Sequence, residues 1–213
     1  MDKDTDNQMN QGGQDAGSRR PRLGIIGSGA GSNFAALAEA IGRGEMEAEI
    51  VVVVSDVEGA GILTKARALG LPAHFVDPGP WVNKMDDGAQ VRLAELLTGA
   101  GVDLVVCAGF MRRLKGPVLE AFPRRILNIH PSLLPEFPGR DAIPRALEAG
   151  VKVSGCTVHL VNEEIDAGDI LAQAQVAVEE GETVASLTGK INRAEHGLYP
   201  GAILGYWRKG ERL

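Results

Sequence analysis

An α/β fold built on a mostly parallel, twisted sheet with helices on both faces is what this sequence predicts. Three observations carry the prediction. Short apolar runs at 23–26, 49–54, 73–76, 103–108 and 126–130 alternate with stretches of helical periodicity. Alternation of this kind produces right-handed crossovers, which lay successive strands parallel and cover both faces. Glycine is frequent (28 residues) and aromatic residues are few (4%), as suits many tight strand-to-helix turns. After residue 130 the pattern changes to a proline-bearing loop and two long strand-like runs, which predicts an antiparallel C-terminal edge.

Residues 1–20 are polar, rich in Gly and Asp, and aperiodic. They are expected to form a disordered tail, with a single domain over 21–213. The strand at 23–26 feeds the turn Gly27-Ser28-Gly29-Ala30-Gly31-Ser32-Asn33. A helix follows over 33–42, with Phe34, Leu37, Ala38 and Ile41 on its apolar face and Ser32 or Asn33 as its cap. The run at 49–54 is almost continuously apolar, as for a strand covered on both sides. A helix at 62–69 is closed by Gly70, and a third strand spans 73–76. Val91, Leu93, Leu96 and Leu97 mark an amphipathic helix over 83–97. Strands at 103–108 and 126–130 complete the parallel part. The loop 133–140 leads to a short helix at 143–149. Strands at 153–161 and 169–178 are joined by 162–168, too short for a parallel crossover, so they pair antiparallel. A closing helix starts at Thr183, with Gly197 and Pro200 expected to bend or interrupt it.

The 213 residues, 44% apolar and 23% charged, suffice for one domain with a real core. A net charge of −6 and a pI near 5.3 argue against a surface for nucleic acid or anionic membrane. No apolar run approaches the roughly 20 residues of a membrane helix, and no secretory signal opens the chain. Cys107 and Cys156 lie in apolar strand-like runs and are expected to be buried free thiols. These features predict a cytoplasmic protein. His74, His130, His159 and His196 show no ligand spacing, so no metal is expected.

Three stretches could carry chemistry. Asn128 and His130 lie two apart in a strand, so both point to one face, and Pro131 places them at the strand's carboxyl end. Ligands bind at such ends in open parallel sheets. The same residues also fit a strand end capped by a hydrogen-bonded Asn beside an exposed His. The turn at 27–33 offers backbone N–H groups and a helix N-terminus to an anion. Its spacing is not the dinucleotide fingerprint and no Walker lysine follows, so a monophosphate fits better; a turn needed only for tight geometry is the alternative. Asp166, between Ile165 and Gly168, is expected to turn inward toward His130. An amide, an imidazole and a carboxylate together can stabilise an oxyanion and relay protons. Ser132 has no nucleophile elbow around it, which disfavours a triad.

The turn Ser28-Gly29-Ala30-Gly31-Ser32-Asn33, the run Asn128-Ile129-His130-Pro131-Ser132-Leu133-Leu134-Pro135, and the spacing from Val158-His159 to Asp166-Ala167-Gly168 follow one another along the chain. Together they resemble the phosphoribosylglycinamide formyltransferase family over about 23–207. The resemblance implies a Rossmann-like formyltransferase domain. It implies transfer of the formyl group of 10-formyltetrahydrofolate, a co-substrate, to the amine of N1-(5-phospho-D-ribosyl)glycinamide, in purine (IMP) biosynthesis. Gly31, Ser32 and Asn33 would hold the substrate phosphate, and Asn128 and His130 would meet the formyl oxygen. Asp166 would hold a relay water, orient His130 and keep it charged at neutral pH. Met111, Arg112, Arg113, Leu114 and Lys84, with Asn128, would contact the folate, and Glu195 the glycinamide end. On the residues alone, Glu195 reads as a solvated helix carboxylate and Arg112 and Arg113 as surface charge. Arg140-Asp141 stands where relatives often carry Leu-His. The partners implied are small molecules, with no nucleic acid or membrane, for a monomer or homodimer. Methionyl-tRNA formyltransferase, with an extra C-terminal domain, and formyltetrahydrofolate deformylase, with an N-terminal one, fit less well. A non-catalytic nucleotide sensor is the alternative of a different class.

Overall fold

In the computed structural model, which describes residues 19–210, the apolar runs become seven strands: β1 (Arg22–Ile26), β2 (Glu49–Ser55), β3 (Ala73–Phe75), β4 (Leu104–Cys107), β5 (Ile126–His130), β6 (Val153–Leu160) and β7 (Ile170–Ala177). The helices are α1 (Ser32–Gly42), α2 (Gly61–Ala68), α3 (Asp87–Gly99), α4 (Gly116–Ala121), α5 (Ala142–Glu148) and α6 (Val184–Lys209). The strands form one sheet in the order β3-β2-β1-β4-β5-β6-β7. All pairs from β3 to β5 are parallel, whereas β6 runs antiparallel to β5 and β7 antiparallel to β6. The strand order reverses between β1 and β4, and such a reversal opens a crevice at the carboxyl ends of those strands.

Strand periodicity divides the core into two layers. Leu23, Ile25, Val53, Leu104, Val106, Leu127 and Ile129 face one layer with Phe34, Leu37, Ile62, Ile203 and Trp207. Ile26, Val52, Val54, Val105 and Ile126 face the other, with Leu93, Leu97, Val118 and Phe122. Asn128 and His130 share the face of Ile126, so they emerge on the side of α3 and α4.

Four local expectations are corrected. The N-cap of α1 is Gly31, at φ 72°, with no side-chain cap; neither Ser32 nor Asn33 caps it. The expected start of α3 at 83 moves to 87. Asp86 caps it by accepting from the Ala89 N–H, while Lys84 bridges in parallel to Arg113. The helix α4 had no counterpart in the expectation; six residues with Pro117 near the start are too short to show periodicity. Finally, α6 is not interrupted: one helix runs through Gly197 and Pro200, opened by a Thr183–Ser186 capping box. An interior proline costs about 3 kcal/mol. Burial of Tyr199, Ile203, Tyr206 and Trp207 outweighs that at about 1.5–3 kcal/mol per large apolar side chain. The Tyr199 hydroxyl also lies 2.9 Å from the Cys107 carbonyl and 3.0 Å from that of Leu127, tying α6 to β4 and β5.

Residues 1–18 of the expected tail lie outside the described residues. Arg19 is tied to the sheet: its guanidinium pairs with Asp103 at 2.6 Å, and its carbonyl accepts from the Trp207 indole at 2.9 Å. Cys107 and Cys156 are buried free thiols, and burial pushes both up to about 12. Among the described residues, no helix is long and apolar enough to cross a membrane.

Candidate active site

Antiparallel pairing of β5 with β6 sets Asn128 opposite His159, and the 162–168 connection carries Asp166 back over them. Asp166 sits at φ 52°, a left-handed conformation rare outside glycine, at the tight bend. Its Oδ2 accepts the Gly139 N–H at 2.7 Å and lies 3.2 Å from His130 Nδ1, while Oδ1 lies 3.4 Å from His159 Nε2. Asn128, His130 and Asp166 therefore do converge. His159, buried at 2% exposure, joins them.

Hydrogen-bond polarity orients the group. A carbonyl can only accept, so His130 Nε2–H donates to Phe137 O at 2.9 Å and His159 Nδ1–H to Leu160 O at 2.8 Å. The other ring nitrogen of His159, Nε2, lies 3.1 Å from the donor Nδ2 of Asn128. That contact fixes which end of the Asn128 amide is N–H and leaves its second N–H to face the site. His159 is thus the residue that orients the amide donor, and reading single segments did not find it.

Burial governs the charge state. It pushes His130 below its ordinary value; Asp166 and the Phe137 carbonyl pull upward but are outweighed, and His159 and Arg145 add to the lowering. The expectation that Asp166 keeps His130 charged at neutral pH is therefore corrected: the resting ring is neutral. For Asp166, burial alone would raise the carboxyl. The neighbouring His159 and His130 rings and the Gly139 N–H together hold it below the ordinary range.

The loop beyond β5 is held by polar side chains. Thr157 Oγ1 donates to Ser132 O at 2.6 Å and accepts from Leu134 N at 3.0 Å, and Gln173 Nε2 donates to Leu134 O at 2.9 Å. Ser132 Oγ donates to Glu136 O at 2.6 Å, a structural role rather than a nucleophile's. Arg145 donates to Pro138 O at 2.6 Å, so the loop is braced from α5 as well.

The glycine turn lies at the strand-order reversal. At Gly31 a Cβ would fall 2.8 Å from the Ile62 Cα and the φ of 72° already excludes most side chains, so both α2 packing and the turn require glycine. Lys65 of α2 donates to Ala30 O at 2.8 Å and brings a cation to this turn, unmarked by any motif. Asn33 is buried, and its Nδ2 donates to Glu195 Oε2 at 3.0 Å. Glu195 is therefore not a solvated helix carboxylate: burial raises it, with Asn33 opposing. The predicted phosphate turn and the predicted glycinamide-binding carboxylate are joined.

The 111–114 segment borders the same crevice. Met111 is 60% exposed and its N–H donates to Ser28 Oγ at 2.9 Å, whereas the Leu114 side chain belongs to the core. Arg112 pairs with Asp56 at 2.5 Å and Arg113 Nε donates to Glu163 O at 3.0 Å, so neither guanidinium is idle surface charge. Lys84 lies alongside through its bridge to Arg113.

A sequence profile described as formyl transferase matches residues 22–203. Phosphoribosylglycinamide formyltransferase of Bacillus subtilis (strain 168) is 36% identical over 194 residues, covering 90% of this chain and 98% of that one. The trifunctional purine biosynthetic protein adenosine-3 of Homo sapiens is 39% identical over 185 residues, 87% of this chain, but the chain spans only 18% of that protein. The crystal structure of glycinamide ribonucleotide transformylase 1 from Symbiobacterium toebii matches with a TM-score of 0.85 and 45% identity, covering 90% of each chain.

Proposed function

Since this chain belongs to the formyl transferase family, we propose that it transfers the formyl group of 10-formyltetrahydrofolate to the amine of glycinamide ribonucleotide, yielding formylglycinamide ribonucleotide and tetrahydrofolate. The observation that carries this reading is the Asn128–His159–Asp166–His130 cluster at the end of β5, in the same crevice as a glycine turn joined to Glu195.

In this reading the N-terminus of α1, with the N–H groups of Gly31, Ser32 and Asn33, holds the phosphate, and Lys65 adds positive charge. Glu195 receives the glycinamide end, whose N–H donors would compensate a carboxylate that burial disfavours. Lys84 and the 111–114 segment border the folate. The neutral amine attacks the formyl carbon, and the carbonyl π electrons move onto oxygen. Asn128 Nδ2–H and His130 Nε2–H donate to that oxyanion, the latter turning from the Phe137 carbonyl. The new C–N bond makes the amine cationic. It releases one proton to the His130–Asp166 pair, through a water on Asp166 or at the ring itself, and the imidazolium so formed is stabilised by Asp166. The same proton then reaches the folate nitrogen as its bond to the formyl carbon breaks. No metal is needed, because N–H donors meet the developing charge.

Formyl transfer is tested by following loss of 10-formyltetrahydrofolate with glycinamide ribonucleotide present and absent. Turnover that requires the acceptor supports the proposal. Equal turnover without it would mean hydrolysis, and no turnover in either arm would leave only a binding function.

A further inference from the structure

Three strands bring one polar row to the loop that leaves the site. Across β5, β6 and β7 the registers set His130 opposite Thr157 and Thr157 opposite Gln173, so the three side chains share a face of the sheet. Cys156 and Val158, on either side of Thr157, turn to the other face and enter the core with α6. Thr157 is fully buried, and the one donor and two acceptor positions of its hydroxyl are all filled. Oγ1 donates to Ser132 O at 2.6 Å and accepts from Leu134 N at 3.0 Å, which closes a clip over three residues of the loop. It also accepts from Gln173 Nε2 at 2.9 Å, and the same nitrogen donates to Leu134 O at 2.9 Å. From this clip the loop is held in short steps. Ser132 Oγ donates to Glu136 O at 2.6 Å, and Glu136 N to Leu133 O at 3.1 Å. Phe137 then stands at φ 53°, in the left-handed region that a non-glycine residue keeps only where its surroundings fix it. Its carbonyl meets His130 Nε2, and two residues further on the Gly139 N–H meets Asp166 Oδ2.

We propose that Thr157 is a positioning residue for the reaction, acting through the 132–139 loop, with Gln173 supporting it from the edge strand. Its hydroxyl sets where the loop starts, and thereby where the Phe137 carbonyl and the Gly139 N–H stand against His130 and Asp166. This rests on the formyl-transfer reading above. A methyl in place of the hydroxyl would leave Ser132 O and Leu134 N without their buried partner, so the first turn of the loop would have to shift to find others. His130 would stay on its strand and Asp166 at its bend. They would lose the two backbone groups that fix ring and carboxylate relative to each other.

The test uses the full chain and two variants of opposite kind. Thr157→Val keeps the side chain's shape and removes the hydroxyl, whereas Thr157→Ser keeps the hydroxyl and removes the methyl. Thr157→Val should lower kcat by about thirtyfold, the worth of two hydrogen bonds, with both KM values within about twofold. Exchange of the Gly139 amide hydrogen should quicken by about tenfold as the loop opens locally. Thr157→Ser should keep about half of the wild-type kcat and the slow exchange of Gly139, although the lost methyl lowers its melting temperature. Near-wild-type kcat in Thr157→Val, an equal loss in Thr157→Ser, or a Gly139 amide that exchanges no faster in Thr157→Val would each overturn the proposal. Should wild type transfer no formyl group, the role in the reaction falls with the reading it rests on, while Gly139 exchange still judges the hold on the loop. If Thr157→Val fails to fold, Gln173→Leu removes the outer support and keeps the hydroxyl. That variant should lower kcat about threefold and speed Gly139 exchange, and unchanged exchange would again overturn the proposal.

Discussion

Replacing Asp166 with asparagine isolates the charge of the carboxylate while keeping an oxygen for the Gly139 N–H. Asp166 Oδ2 stands 3.2 Å from His130 Nδ1. Full charges at that distance attract by roughly 5 kcal/mol at an effective dielectric near 20. In the resting site burial outweighs this attraction, because His130 lies below its ordinary value. In the proposed mechanism the balance changes during turnover: the ring would take a proton while negative charge is on the formyl oxygen, and Asp166 would then act on an imidazolium. Loss of that attraction bounds the cost from above, and about 3 kcal/mol is usual for one electrostatic contributor. Asp166→Asn should therefore lower kcat by about two to four powers of ten, with both KM values within about twofold, since an effect confined to the transition state leaves ground-state binding alone. The assay is steady-state formyl transfer at saturating donor and acceptor, with a melting curve to show that the variant folds. A folded variant retaining a fifth or more of wild-type kcat would refute the relay. So would a loss that appears mainly in the KM for glycinamide ribonucleotide.

Asn128→Ala should reduce kcat by about a hundredfold or more without unfolding the protein, and His159→Phe, which leaves the amide in place but unoriented, should lose less, about tenfold; stopped assays on both variants check the order. Gly31→Ala should cost at least about 1–2 kcal/mol for the left-handed backbone alone, and more for the Ile62 approach, read as a lower urea midpoint. Acid should weaken the fold through His130: the neutral native ring makes the unfolded chain bind more protons, so stability falls as pH drops below about 6.5. Asp166 acts in the same sense at lower pH, its contribution being lost as pH falls through its depressed native value. Glu195, raised by burial, opposes both: its contribution is present below about 4.3 and is lost as pH rises through its native value. Comparing urea midpoints of wild type and His130→Asn between pH 7.5 and 5 separates the His130 part, and equal slopes would contradict the direction given for it.

What could be read from the sequence depended on whether the information was local. The period-two placement of Asn128 and His130 before Pro131 is a property of four consecutive residues, and the structure keeps it. The parallel part of the sheet and its antiparallel edge followed from run lengths and a short connection, and the inward turn of Asp166 from its neighbours Ile165 and Gly168; the strand order was not legible. His159 escaped because its role depends on the β5–β6 register, which sets it opposite Asn128, and inside an apolar strand it looks like any buried histidine. The Asn33–Glu195 bond was illegible for a similar reason: Glu195 sits among polar neighbours on α6, and only the packing of α6 against α1 buries it. The resting charge of His130 was misjudged because the partner could be seen in the sequence and the burial could not. Pro200 was misjudged because a local penalty was weighed without the tertiary packing that exceeds it.

The contact between Asn33 and Glu195 spans 162 positions of the chain. At about 5–20 residues per second of synthesis, the glycine turn leaves the ribosome on the order of 10 to 30 s before its acidic partner. The oxyanion cluster, complete by Asp166, also precedes Glu195. In the proposed reading a nascent chain can thus assemble the chemistry before it can seat the acceptor, and a chain cut before α6 would lack the carboxylate for the acceptor's glycinamide end.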